Sequence, residues 1–173
     1  MELTEVQIKP LLFTSAIVKK YDLTIVAIPF TYEGPNISML AKNIKKIISS
    51  ALEVKEEDIK ESAFSLSRGE KEKMKADYKL TKLIDRNCYY RFEISVYYEC
   101  NVEDVGKFEA SIKGALYFEL PQETAFQRSL LYHFFFSLYW NFFYSDVIKK
   151  YQENGKECLK RFISYLEAQV SRL

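Results

Sequence analysis

The chain has 173 residues, 48% of them hydrophobic, which suits one domain over residues 1–173 with a single core. It carries 25 Lys and Arg against 24 Asp and Glu, so no excess of one sign is available for general nucleic-acid binding or for an acidic membrane surface. Its charged residues are mostly Lys and Glu, and Gly and Pro are few, a composition typical of a thermophilic source.

The cysteines and the N-terminus indicate the compartment. Cys88, Cys100 and Cys158 are too few and too widely spaced for a disulfide framework, and they lack the C-x-x-C spacing of a zinc site. We interpret them as buried thiols in a reducing environment. Residues 1–20 have no positive region ahead of their apolar run, so they do not form a secretory signal. We therefore expect a cytoplasmic protein.

The first half of the chain combines a strand with a helix. Residues 22–32, DLTIVAIPFTY, form a near-continuous apolar run rich in β-branched side chains, which predicts a strand buried on both faces. Apolar residues then recur at helical spacing over 37–52, which predicts an amphipathic helix. Beyond it, residues 54–62 predict a short acidic helical turn, 63–69 a short strand, and 69–77 a solvated loop or an extension of strand ends.

The middle of the chain predicts a two-faced antiparallel sheet. In residues 88–100 and 107–120 the even positions are almost all apolar, while the odd positions carry most of the polar and charged side chains. A further strand at 78–84 precedes them, and the short connections predict a meander. Gly114 interrupts the apolar face, where it could mark a bend that lets the sheet curl around a helix. Together with 22–32, these segments predict an α+β fold.

Residues 130–144, LLYHFFFSLYWNFFY, contain nine aromatic residues in fifteen and fall in a predicted helix over 127–151. The polar residues recur every fourth position and therefore follow one side of this helix: Ser129, His133, Ser137, Asn141 and Ser145. A transmembrane helix needs about 20 apolar residues, which is more than this segment offers. In one interpretation this line of polar residues faces solvent. In the other the helix is enclosed, and the line faces the sheet, a second subunit or a partly wet pocket.

The packing of this helix follows from the faces of the strands. We expect the even-numbered face of 88–100 and 107–120 to pack on helix 127–151, burying Phe92, Ile94, Ile112 and Phe118. A single helix from residue 123 to residue 172 would be about 75 Å long, too long for this domain. Asn154 and Gly155 tolerate a helix cap, so a break is expected there, followed by a helix over 156–173.

The sequence offers little chemistry for catalysis. His133 is the one histidine, and no metalloprotease, hydrolase or phosphate-loop motif occurs. A nucleophilic pair of His133 with one of the cysteines is less expected than a histidine held in the core. Tyrosines on strand 88–100 could stack on nucleic-acid bases, but Glu93 and Glu99 on its wet face would repel the phosphates. We predict no catalytic residues, no metal site and no cofactor.

The order of elements resembles the helix-grip layout of START-like ligand-binding domains over residues 20–153. That order is a strand, a helix, a meander of long antiparallel strands and an apolar C-terminal helix. The predicted strands number about five, where that layout usually has seven, and a further C-terminal helix follows. The resemblance implies a pocket for a hydrophobic small molecule between the curved sheet and helix 127–151.

Two functional hypotheses follow. In the first, the protein binds a hydrophobic small molecule or lipid without catalysis, because uncharged polar groups among aromatic side chains can orient an apolar guest. The residues proposed for that pocket are hydrogen-bonding His133, Ser137 and Asn141, with Tyr90, Tyr98 and Phe118 as walls. In the second, helices 127–151 and 156–173 form a homodimer or partner interface anchored by Trp140 and Tyr144.

Overall fold

A computed structural model describes residues 16–172 and shows an α+β fold, as predicted. The predicted absence of a secretory signal concerns mainly residues 1–15, which lie outside the described residues. The strands are β1 (Ala16–Asp22), β2 (Ile28–Gly34), β3 (Lys60–Arg68), β4 (Glu72–Asp85), β5 (Cys88–Cys100) and β6 (Gly106–Pro121). The helices are α1 (Ile37–Lys42), α2 (Ile44–Leu52), α3 (Leu130–Phe143) and α4 (Ser145–Val170), with 3₁₀ turns at Glu56–Asp58 and Phe126–Arg128.

The strands form one antiparallel sheet in the order β1–β6–β5–β4–β3, and β2 also pairs with β6. The meander predicted for the middle of the chain is present as β4, β5 and β6. The segment 69–77 extends a strand end, since β4 begins at Glu72. The amphipathic helix predicted over 37–52 is divided into α1 and α2 at Asn43.

The apolar run at 22–32 is two strands, so the prediction of one continuous strand is wrong. β1 pairs with the C-terminal half of β6 and β2 with its N-terminal half. Between them, Leu23 turns into the core and its backbone N–H donates to Gly114 O at 2.9 Å, while Ile25 and Val26 are exposed. The segment is apolar at every position from 25 to 30, so its pattern gave no sign of the interruption.

The even-numbered face of the long strands is buried, as predicted. Its residues Phe92, Ile94, Ile112 and Phe118 are at most 2% exposed. Their cover differs from the prediction, because α1 and α4 lie on this face and α2 packs along α4. The aromatic segment reaches the core only near its C-terminal end, so the predicted packing of helix 127–151 on the sheet is right only in part.

The C-terminal helices divide at a different place from the predicted one. The chain bends at Tyr144, between α3 and α4, and α4 continues through Asn154 and Gly155, so the predicted break there is wrong. Gly155 is buried where α4 approaches the sheet, and a Cβ atom at this position would lie 2.7 Å from Leu23 Cδ1. Glycine is therefore required for close packing and does not end the helix.

The odd-numbered face of the sheet is a solvated surface of paired charges. Glu93 bonds to Lys113 at 2.8 Å, and Lys107 bonds to Glu109 at 2.6 Å. The Arg91 guanidinium lies 4.9 Å from the centre of the Tyr117 ring. Because its positive and negative side chains are paired, this face has no excess of either charge that would attract a charged partner.

Candidate interaction surface

Helix α3 begins at a local capping signal. Ser129 has an extended backbone, and its Oγ accepts a hydrogen bond from the Tyr132 N–H at 3.2 Å, which satisfies one free donor of the first turn. The 14 residues of the helix include no Asp, Glu, Lys or Arg. The helix is therefore defined by its cap and by its apolar bulk, without help from side-chain ion pairs.

One side of α3 is anchored to the body of the protein by Trp140. This residue is 4% exposed, and its indole Nε1 donates to Tyr21 Oη on β1 at 2.7 Å. Its ring meets Phe118 edge-on, with ring centres 5.0 Å apart, and stacks on Tyr144 at 4.6 Å. Aromatic pairs of this kind stabilise beyond the area they bury, so the orientation of α3 is fixed by contacts at its C-terminal half.

The opposite side of α3 is a row of large apolar side chains in solvent. Leu131, Phe135, Leu138 and Phe142 are 59%, 58%, 41% and 75% exposed, and we call these four residues the seam. Other exposed apolar residues on or beside the helix extend this surface: Phe126, Leu130, Phe134, Tyr139 and Phe143. A contiguous apolar patch of more than a few hundred Å² is rare on a monomeric protein and marks a contact site.

The six residues predicted to line a pocket lie in two different environments. Tyr90, Tyr98 and Phe118 are buried in the core, at most 4% exposed. In contrast, His133, Ser137 and Asn141 are exposed on α3. Phe118 is brought against Trp140 and Tyr144, the two predicted interface anchors.

Three of the polar side chains in the predicted pocket, those of Tyr90, Tyr98 and His133, are engaged within the protein. Tyr90 Oη donates to Tyr151 O at 2.6 Å, and Tyr98 Oη donates to Glu72 Oε1. Burial raises the pKa of both phenols. The amide Nε2 of buried Gln122 lies 3.2 Å from Nε2 of His133 on α3, within hydrogen-bond distance.

The seam was not predicted from the sequence, because the prediction for this helix rested on its polar residues. The predicted anchors Trp140 and Tyr144 lie on the side that contacts the body. The signal for the seam was present in the sequence as the spacing 131, 135, 138 and 142, which is the alternating step of four and three typical of a helix-packing face. The spacing could be assigned to an exposed face only after the structure showed that Trp140, on the opposite side of the helix, is buried.

Other classes of site find little support among residues 16–172. Five of the best-formed clefts have volumes of 240 to 440 Å³ and are open to solvent, and Tyr90, Tyr98 and Phe118 line none of these five. No group of three or more His, Cys, Asp or Glu in this range could hold a metal ion. Burial raises the pKa of Cys88 to about 12, so its thiolate is scarce at neutral pH. None of the described helices is both long and apolar enough to cross a membrane.

Comparison with known proteins adds no assignment. No protein-family model matches the chain, and no curated protein matches it significantly. The resemblance to the helix-grip layout stays a prediction. Among the described residues, α3 exposes an aromatic surface without Asp, Glu, Lys or Arg.

Proposed function

We propose that the protein is a protein–protein interaction module that associates with a second copy of itself through α3. The observation that supports this proposal is the outward row of Leu131, Phe135, Leu138 and Phe142 on a helix without charged residues. A helix that is apolar around most of its circumference has to be covered from more than one direction. Within residues 16–172, the rest of the protein covers one side of α3 only.

The exposed area is of the size that a stable dimer needs. With roughly 200 Å² for each fully exposed large side chain, the exposed fractions on and beside α3 leave about 1,000 Å² of largely apolar surface per copy. A standard specific interface buries about 800 Å² per partner. The seam contributes roughly two fifths of this area, so a standard interface centred on it also includes exposed residues on its flanks.

The chemistry of the helix favours a second copy over other occupants. Residues 129–145 include no Asp, Glu, Lys or Arg, so two identical helices can meet without repulsion between such side chains. Helices that lie on membrane surfaces usually carry Lys and Arg along their polar face, and α3 carries none. Binding of a small molecule between sheet and helix is less well supported, because the residues proposed as its walls are buried in the core while those proposed to hydrogen-bond to it are exposed on α3.

Sedimentation of the purified protein at micromolar concentrations tests the proposal. We expect a dimer for the parent chain and a monomer for Leu138→Glu, because a carboxylate buried at an apolar interface has no partner. Ser137→Glu is the matched control, since it adds the same charge to an adjacent, exposed position outside the seam and should remain a dimer. Circular dichroism should show the parent spectrum for both variants.

A parent chain that stays monomeric at every concentration would overturn the proposal. Equal dissociation of the Leu138→Glu and Ser137→Glu variants would also overturn it, because the effect would then reflect added charge and not the seam.

A further inference from the structure

We infer that the two α3 helices pair antiparallel across a two-fold axis, with Leu131 of one copy against Phe142 of the other and Phe135 against Leu138. This inference rests on the proposed function, because it specifies the partner geometry at the same surface. It follows from the order of side chains along the seam and from the helix dipoles.

The four seam residues face the same direction. At about 100° per residue they lie within roughly 60° of one another on the helix surface, and they extend over about 16 Å of its axis. The steps of four, three and four residues are those of the a and d positions of a coiled coil, where each side chain inserts between four residues of a facing helix. The seam is therefore shaped to receive another helix.

The sizes of the seam residues select the antiparallel arrangement. Along the helix they alternate as Leu, Phe, Leu and Phe. An antiparallel pair places one leucine against one phenylalanine in every layer, so all layers have the same volume. A parallel pair would place leucine on leucine and phenylalanine on phenylalanine, and the helices would be held apart by the large layers while the small layers stayed underfilled. Voids and overpacking both destabilise such a contact.

The electrostatics of the helix ends favour the same arrangement. Antiparallel helices place the positive end of one macrodipole beside the negative end of the other. Arg128 precedes α3, and Asp146 follows it with its carboxylate 3.8 Å from Lys149 Nζ, so these side-chain charges do not distinguish the two arrangements.

Cross-linking of cysteine variants with a short bismaleimide tests the geometry. The Leu131→Cys and Phe142→Cys variants are prepared separately, one of them with a size tag, and are also mixed. In the antiparallel pair the two copies of position 131 are roughly 16 Å apart along the axis, so each variant alone should cross-link poorly. The mixture should give a cross-linked heterodimer. The parent chain measures the background, because Cys88, Cys100 and Cys158 are buried.

The outcomes separate this inference from the proposed function. Efficient cross-linking of the Leu131→Cys variant with itself would show a parallel pair, and a dimer without cross-linking in either sample or the mixture would place the seam outside the contact. The first result overturns the antiparallel pairing and leaves association through α3 standing. The second result also overturns association through the seam. A monomeric parent chain would remove both.

A charge-pairing experiment keeps the test independent of cysteine chemistry. Leu131→Lys and Phe142→Glu should each shift the protein toward monomer in sedimentation. A chain carrying both substitutions should recover dimer, because the antiparallel pair joins each lysine to a glutamate of the other copy. Failure of the double variant to associate better than the single variants would contradict the antiparallel pairing.

Discussion

Replacement of Gly155 by alanine tests the closest contact between α4 and the sheet. A Cβ atom at this position would lie 2.7 Å from Leu23 Cδ1 and 2.9 Å from Tyr90 Cε1, inside the roughly 3.5–4.0 Å of favourable carbon contacts. Tyr90 is held by its hydrogen bond to Tyr151 O at 2.6 Å. Leu23 is 3% exposed and already lies against Gly114, so neither neighbour can move away easily.

Two opposing free-energy terms set the size of the effect. Alanine in place of glycine within a helix stabilises by about 1 kcal/mol, whereas overpacking of a filled core destabilises by about 1–3 kcal/mol. We therefore expect Gly155→Ala to lower the free energy of unfolding by up to about 2 kcal/mol. A Leu23→Ala background removes the two closest contacts and leaves only the one with Tyr90. The same substitution should therefore be less destabilising there than in the parent chain.

Urea unfolding followed by far-UV circular dichroism measures all four proteins of this double-mutant cycle. The expected coupling between the two positions is about 1–3 kcal/mol, which is large enough to resolve. If Gly155→Ala changes the free energy of unfolding by the same amount in the parent chain and in the Leu23→Ala variant, the glycine does not serve close packing against Leu23.

Two further predictions concern a helix cap and a surface carboxylate. The Asp104 carboxylate accepts hydrogen bonds from the Ser38 backbone N–H at 2.7 Å and from Ser38 Oγ at 2.8 Å, so Asp104→Ala should lower the free energy of unfolding in urea by about 1–2 kcal/mol. The neighbouring, exposed Glu103→Ala should leave it nearly unchanged. Hydrogen bonds from two lysines and a tyrosine lower the pKa of Glu99 from 4.5 to about 2. Its stabilising contribution is complete above pH 4.5 and is lost as the pH falls toward 2. The Glu99→Gln variant should thus be less stable than the parent chain at pH 7. Thermal melts should show that this difference in stability vanishes near pH 2. A difference that persists at that pH would contradict the cause given for the lowered pKa.

Alternating sequence patterns specified the parts of the fold that were predicted correctly. In β5 and β6 the period of two assigned Phe92, Ile94, Ile112 and Phe118 to the buried face, because a strand directs successive side chains to opposite sides. The same alternation, with short connections, predicted the antiparallel meander. Such a pattern carries the orientation of its segment, since only one arrangement buries all its apolar residues.

Segments that are apolar on every side carry no such information, and the tertiary structure decided their placement. At 22–32 the pairing of both halves with β6 and the insertion of Leu23 between two glycines divide what looked like one strand. At 130–143 the sequence determined a helix, but its uniform apolarity left the buried side undetermined. That side was chosen by long-range contacts of Trp140 with Tyr21 and Phe118, which no local pattern encodes, and the same choice left the seam in solvent.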